Sequence, residues 1–71
     1  MTKMIKLLDS QIKLLESLPE QGMGYHLVDI ELKSGMKLIN RLVLNSTYLK
    51  ISDEENVDPL QIELIKLHEE K

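Results

Sequence analysis

The segment from Val28 to Ile51, VDIELKSGMKLINRLVLNSTYLKI, decides the fold. Its first residues alternate between apolar and polar, which is the period of a β-strand with one buried face. A Ser-Gly pair at 34–35 and an Asn-Ser pair at 45–46 have the composition of tight turns. These pairs divide the segment into three runs, so the sequence predicts a three-stranded antiparallel meander over residues 25–51.

The middle run of this meander has an apolar pattern that does not keep a single phase. Four apolar residues share one face, namely Met36, Leu38, Leu42 and Leu44. Asn40 interrupts that face, while Ile39 and Val43 lie on the opposite one. The strand is therefore either apolar on both faces or bulged near Asn40.

Residues 1–18 predict an amphipathic helix that packs on the sheet. At about 100° per residue, the apolar side chains fall within roughly a half-circle. They are Met1, Met4, Ile5, Leu7, Leu8, Ile12, Leu14, Leu15 and Leu18. Gln11 alone intrudes on this apolar side. Pro19 ends the predicted helix, and the Gly-containing stretch at 19–24 reads as a loop.

The last third of the chain begins with an acidic loop over residues 52–58. Asp58 and Pro59 are suited to the N-cap and first position of a helical turn. Beyond them, apolar residues alternate with one change of phase, so the sequence predicts a short turn and a last strand within 59–68. A C-terminal helix is the alternative. We thus expect a single α+β domain over 1–71, with the N-terminal helix packed on a small antiparallel sheet that forms a partly open barrel.

Size and composition exclude several classes of protein. The chain has 71 residues, of which 42% are hydrophobic and 30% charged, and its only aromatic residues are two tyrosines. It contains no cysteine, which excludes disulfides, Cys-based zinc sites and thiol nucleophiles and favours the cytoplasm. No segment approaches the roughly 18 apolar residues of a membrane span, and no secretory signal is expected.

The charge is unevenly distributed along the chain. Residues 1–50 carry seven basic and five acidic groups, a net +2, whereas residues 51–71 carry two basic and seven acidic groups, a net −5. A sequence-independent nucleic-acid binder needs several Lys or Arg residues on one face, and Arg41 is the only arginine. Nucleic acid is therefore not the favoured partner, and no membrane partner is expected.

The alternation around the Ser-Gly turn resembles the first sequence motif of the Sm-like proteins, which are small SH3-type barrels that begin with a helix. The residues that carry the resemblance are Val28, Ile30, Leu32, Lys33, Ser34, Gly35, Leu42 and Leu49. The chain departs from the family at Asn40, where a second glycine is usual, and residues 52–71 have no counterpart of the second motif.

The resemblance implies an SH3/Sm-like barrel and, as an alternative function, binding of single-stranded RNA. In the family, an aspartate, a stacking side chain and an asparagine hold the RNA base. The corresponding positions here carry Ser46, Tyr48 and Lys50, of which Tyr48 is able to stack on a base. Arg41, Tyr48 and Lys50 are the residues that would contact RNA.

No arrangement of residues in the sequence points to catalysis. Asp29 and Glu31 share one face of a strand, and with His26 they are the only combination that suggests a hydrolase or a metal enzyme. A solvated strand face, with Lys33, Lys37 and Arg41 as cross-strand partners, is the favoured explanation of the two carboxylates. We expect no enzyme activity, no cofactor and no metal.

Excess apolar surface is the feature that points to a function. A helix on a small sheet normally buries a stripe somewhat wider than 100°, and the predicted arc is much wider. A small curved sheet that wraps around the helix would cover this arc. If the arc stays uncovered, its edges and the second face of the middle strand predict an interface formed by Ile5, Leu7, Ile12, Leu14, Leu18, Ile39 and Val43. We therefore expect a small non-catalytic protein-interaction or regulatory module, which associates with itself as a homo-oligomer or binds a protein partner.

Overall fold

A computed structural model describes residues 1–20 and 22–69 of the chain. It confirms an α+β fold with one short helix and a five-stranded antiparallel sheet. The strands are β1 (Thr2–Lys6), β2 (Tyr25–Leu32), β3 (Lys37–Leu44), β4 (Tyr48–Ser52) and β5 (Ile62–Leu67), and the helix α1 is Asp9–Glu16. The order across the sheet is β1-β4-β3-β2-β5, so β1 and β5 are its edges and the sheet is not closed into a barrel.

The predicted helix over residues 1–18 is wrong in its first half. Residues Thr2–Lys6 form an edge strand that pairs with β4, and the helix spans only Asp9–Glu16. The residues 2–6, Thr-Lys-Met-Ile-Lys, do not alternate between polar and apolar, so the sequence carries no strand signal here. The strand forms because the edge of β4 offers backbone hydrogen bonds to this segment. The unusually wide apolar arc of the predicted helix arises because its first residues belong to a strand.

Gln11 interrupts the apolar side of the helix because its side chain has two partners. Its Oε1 accepts a hydrogen bond from the Leu8 N–H at 2.9 Å, which satisfies a free donor at the start of α1. Its Nε2 donates to the Pro59 carbonyl at 2.8 Å. A single side chain thus caps the helix and ties it to the turn that precedes β5.

The meander forms with turns at the predicted positions. Gly35 has a φ of 94°, and Asn45 and Ser46 have φ values of 52° and 58°. Asn45 and Ser46 are the central residues of the turn that the Thr47 N–H closes by donating to the Leu44 carbonyl. Positive φ at both of them is the conformation that matches the twist of a β-hairpin. The C-terminal segment forms a 3-10 turn over Pro59–Gln61, capped by Asp58, and then strand β5. The alternative of a C-terminal helix is therefore wrong.

Strand β3 contains a β-bulge at Asn40, which resolves its double apolar pattern. Val28 pairs with Arg41 and Ile30 pairs with Leu38, so Asp29 faces two residues, Ile39 and Asn40. Asn40 has a φ of 57°, in the left-handed region that asparagine tolerates better than most residues. The extra residue changes the phase of the strand, so different sets of side chains point inward before and after the bulge.

The core lies between the inner face of the sheet and α1. Leu15 of the helix is fully buried against strand residues that include Val28, Leu49 and Ile51. On β3, Leu38 points inward before the bulge and Val43 points inward after it, while Leu42 and Leu44 point outward. Among the residues that the structure describes, no helix is long and apolar enough to cross a membrane.

The left-handed residue in the bulge gives the first testable prediction. Asn40→Gly should leave the free energy of unfolding within about 0.5 kcal/mol of the parent, because glycine adopts positive φ without steric cost. Asn40→Val should lower it by about 1–2 kcal/mol, since a β-branched residue is strained there. Urea unfolding measures both values, and equal stability of the two variants would contradict a left-handed Asn40.

Candidate interaction surface

The outer face of the sheet carries a cluster of large apolar side chains. The strand register places Tyr25 beside Leu44, Leu44 beside Tyr48 and Tyr48 beside Lys6 in one row that crosses four strands. The next row contains the Leu27–Leu42 pair and the Met4–Lys50 pair. We call this group the outer patch: Met4, Lys6, Tyr25, Leu27, Leu42, Leu44, Tyr48 and Lys50.

The outer patch is open to solvent. Met4 is 41%, Leu44 38% and Tyr48 43% exposed, and Tyr25, Leu27 and Leu42 are half-buried by their neighbours. Contiguous apolar side chains of this size on a small protein usually mark an interaction site. The two tyrosines add contact area at a small cost in side-chain entropy, which makes them efficient anchors in interfaces.

Most of the outer patch is not predicted by the sequence. The alternation along β3 predicts Leu42 and Leu44 on the same face as Leu38, and the bulge at Asn40 separates them from it. The predicted N-terminal helix contains Met4, whereas β1 places Met4 on the outer face of the sheet. The one sequence feature that pointed to this arrangement is Asn40, a polar residue in the apolar face of β3. It indicates a possible bulge but does not show which side chains turn outward after it.

Most of the predicted interface residues lie in or against the core. Leu7 and Val43 are buried, and Ile5, Ile12 and Leu18 are partly buried and pack against the core. These five side chains lie in or against the core between α1 and the inner face of the sheet, so the fold itself covers them. Leu14 and Ile39 are exposed, at 43% and 53%, and remain open to a partner.

Leu14 belongs to a second apolar area, between α1 and β5. A cleft of about 280 Å³ lies there. Its lining includes Leu8, Leu14, Leu60 and Glu63, and Leu60 is the most exposed of the leucines at 61%. We call this group, Leu8, Leu14, Leu60 and Glu63, the helix-side surface.

The predicted RNA contacts do not all face the same way. Tyr48 and Lys50 belong to the outer patch, but Arg41 pairs across the strands with the buried Val28 and so lies on the inner side. Its guanidinium donates to both carboxylate oxygens of Glu55, at 2.6 and 2.8 Å. Those hydrogen bonds and one from the Ser52 N–H hold the pKa of Glu55 below its ordinary value. Arg41 therefore anchors the acidic loop to the sheet.

Asp29 has a structural role in the bulge. Its Oδ1 accepts a hydrogen bond from the Asn40 N–H at 2.9 Å and contacts His68 Nδ1 at 2.8 Å. Burial raises the pKa of Asp29, but the hydrogen bonds from Asn40 and His68 and the charges of His68 and Lys66 outweigh it and leave the pKa lowered. The carboxylate thus satisfies a backbone donor that the bulge removes from the strand ladder, and it joins the end of β5 to the same point.

The structure does not bring together the three residues considered for catalysis. His26 is buried on the inner face of β2, whereas Asp29 and Glu31 lie on its outer face. The His26 Nε2 lies 3.1 Å from the Leu18 carbonyl, an acceptor, so this nitrogen carries the proton. The His26 Nδ1 has no hydrogen-bond partner among the described residues. Within the same part of the chain, no group of three His, Asp or Glu residues is arranged to hold a metal ion.

Comparison with known proteins adds no relative. No protein-family model, no curated protein and no solved structure matches the chain. The resemblance to the Sm-like proteins therefore stays a prediction.

The lowered pKa of Asp29 predicts how the stability of the fold depends on pH. Because its folded-state pKa lies below the ordinary value of 3.8, Asp29 contributes stability above that pH, and the contribution is lost as the pH falls through the folded-state pKa. Asp29→Ala should cost roughly 1–2 kcal/mol near pH 7, since it removes the charged acceptor of the exposed hydrogen bond from the Asn40 N–H. Unfolding in urea at pH 7 and near pH 2 measures this cost.

Glu31→Ala, on the same face of the same strand, is the matched control and should cost less than about 1 kcal/mol near pH 7. The difference between the two variants should shrink as the pH falls below 3.8. A cost of Asp29→Ala that is the same at both pH values, or no larger than that of Glu31→Ala, would contradict the role assigned to Asp29.

Proposed function

We propose that this chain is a non-catalytic interaction module that binds another protein chain, including its own copies, through the outer patch. The observation that carries the proposal is the row of Tyr25, Leu44 and Tyr48 on the open face of the sheet. A 71-residue chain buries only about 60% of its unfolded surface, and large apolar side chains that stay in water add nothing to the stability of so marginal a fold. A partner that covers them would supply further hydrophobic stabilisation.

The chemistry of the described residues supports a binding role over a catalytic one. The polar side chains with defined partners serve the fold: Asp29 holds the bulge, Glu55 holds the acidic loop and Gln11 holds the helix. The cysteine-free composition favours a reducing compartment, and we propose the cytoplasm as the place where the module acts.

A second candidate function is binding of single-stranded RNA on the outer patch, in the manner that the Sm-like resemblance implies. The supporting observation is that Tyr48, Lys50 and Lys6 share one exposed face, where a base could stack on the ring and phosphates could meet the lysines. With two lysines, binding should be weak and lost at moderate salt. A short uridine oligonucleotide at low salt should then bind the parent and not Tyr48→Ala, and no binding to the parent would end this candidate.

Leu44→Glu tests the interaction module. It places a charge at the centre of the outer patch on an exposed position, so the fold should keep its stability to within about 1 kcal/mol. The parent should associate with increasing concentration in sedimentation velocity, or retain proteins that purify with it from its native cell. Leu44→Glu should lose that association.

Met36→Glu is the matched control, because Met36 is exposed in the β2–β3 turn and lies outside the outer patch. It should behave like the parent. The proposal is contradicted if the parent is monomeric at every concentration and the same proteins purify with the parent and with Leu44→Glu.

A further inference from the structure

We infer that the outer patch of one copy receives the helix-side surface of a second copy, so that the chain assembles head to tail. This inference rests on the proposed function and names the occupant of the outer patch. It follows from the opposite charges of two open apolar surfaces on the same molecule.

The outer patch carries positive charge that nothing in the described chain neutralises. Elsewhere on the outer face, Lys37 sits across from Glu31 and Lys66 sits across from Asp29. Lys6 and Lys50 are exposed, and the ion pairs of the described residues include neither of them. An occupant of the outer patch should therefore present carboxylates beside its apolar side chains.

The helix-side surface has that composition. Leu8, Leu14 and Leu60 are exposed apolar side chains, and Glu63 lines the same cleft without a basic residue among the described lining groups. Glu63 is thus the charged group among the described lining residues of the cleft. Leucines would meet the apolar row of the outer patch, and the Glu63 carboxylate would meet Lys6 or Lys50.

The two surfaces belong to different parts of one molecule, which fixes the type of assembly. The outer patch lies on the outer face of the sheet, while α1, which forms part of the helix-side surface, packs on the inner face. One copy can therefore use both surfaces at once, with two different neighbours. Such a heterologous contact yields rings or open chains, in contrast to a two-fold dimer, which would pair the outer patch with itself.

A complementation experiment with two variants tests the inference. Leu44→Glu blocks the outer patch and leaves the helix-side surface intact, whereas Leu60→Lys places a positive charge in the helix-side surface opposite Lys6 and Lys50. Each variant alone should associate about tenfold more weakly than the parent, or not at all. An equimolar mixture should form a 1:1 dimer that grows no further, because each complex has one blocked surface at either end.

The measurement is sedimentation velocity of the parent, of each variant and of the mixture, at low and at high salt. The parent should form species larger than a dimer, and association should weaken with salt because exposed charges are screened. Met36→Glu mixed with Leu44→Glu is the control, and circular dichroism with thermal unfolding verifies that every variant is folded. The inference is supported if both single variants are monomeric, the Leu44→Glu and Leu60→Lys mixture forms a dimer, and the behaviour of the control mixture differs from it.

Three outcomes would overturn it. If Leu60→Lys associates like the parent while Leu44→Glu does not, the outer patch pairs with itself or with another protein, and the proposed function survives without this occupant. If the parent is monomeric and a protein that purifies with it is absent from purified Leu44→Glu, the outer patch binds another protein. The proposed function then survives and the head-to-tail assembly does not. If Leu44→Glu changes neither self-association nor partner retention, the inference and the proposed function both fail.

Discussion

The hydrogen bond from the Asn40 N–H to the Asp29 carboxylate holds the bulge on which the two faces of the sheet depend. A bulge places two residues of one strand opposite one residue of its neighbour, so the strand changes phase at that point. Here the change turns Val43 into the core and leaves Leu42 and Leu44 on the outer face. Without it, the inward set would be Leu38, Leu42 and Leu44, and the outer patch would lose its centre. The bulge therefore places Leu38 in the core and Leu42 and Leu44 on the surface. The hydrogen bond of 2.9 Å between the Asn40 N–H and the Asp29 carboxylate helps to hold that bulge.

The same contact couples the sheet to the end of the chain. His68 follows β5 and meets the Asp29 oxygen that accepts the Asn40 N–H, so the last strand and the bulge are joined through one carboxylate. At the middle of the sheet, Arg41 and Glu55 tie the acidic loop to the central strand β3. These two links, together with Gln11 between α1 and Pro59, supply the polar cross-connections of a domain that has no disulfide.

The parts of the fold that follow from short-range chemistry could be predicted from the sequence. The turn at Ser34-Gly35, the turn at Asn45-Ser46 and the capped turn at Asp58-Pro59 all lie where residue types alone place them. Residues 1–8 could not be assigned in this way, because their apolar spacing is that of a helix and only the pairing with β4, a tertiary contact, makes residues 2–6 a strand. The position of the candidate site also depends on tertiary contacts. The sequence indicates surplus apolar surface but not where it lies. In the fold Leu7 is buried, and the bulge turns Leu44 outward.

The most direct test of this account is the solvent exposure of each methyl group along β3, measured by NMR as the line broadening that a soluble paramagnetic agent causes. At a concentration low enough to keep the chain monomeric, the bulged strand predicts that Leu38 and Val43 are protected and that Ile39 and Leu44 are strongly broadened. A strand without the bulge would instead protect Leu38, Leu42 and Leu44 together and expose Ile39 and Val43. A broadened Val43 beside a protected Leu44 would contradict both the bulge and the outer patch that depends on it.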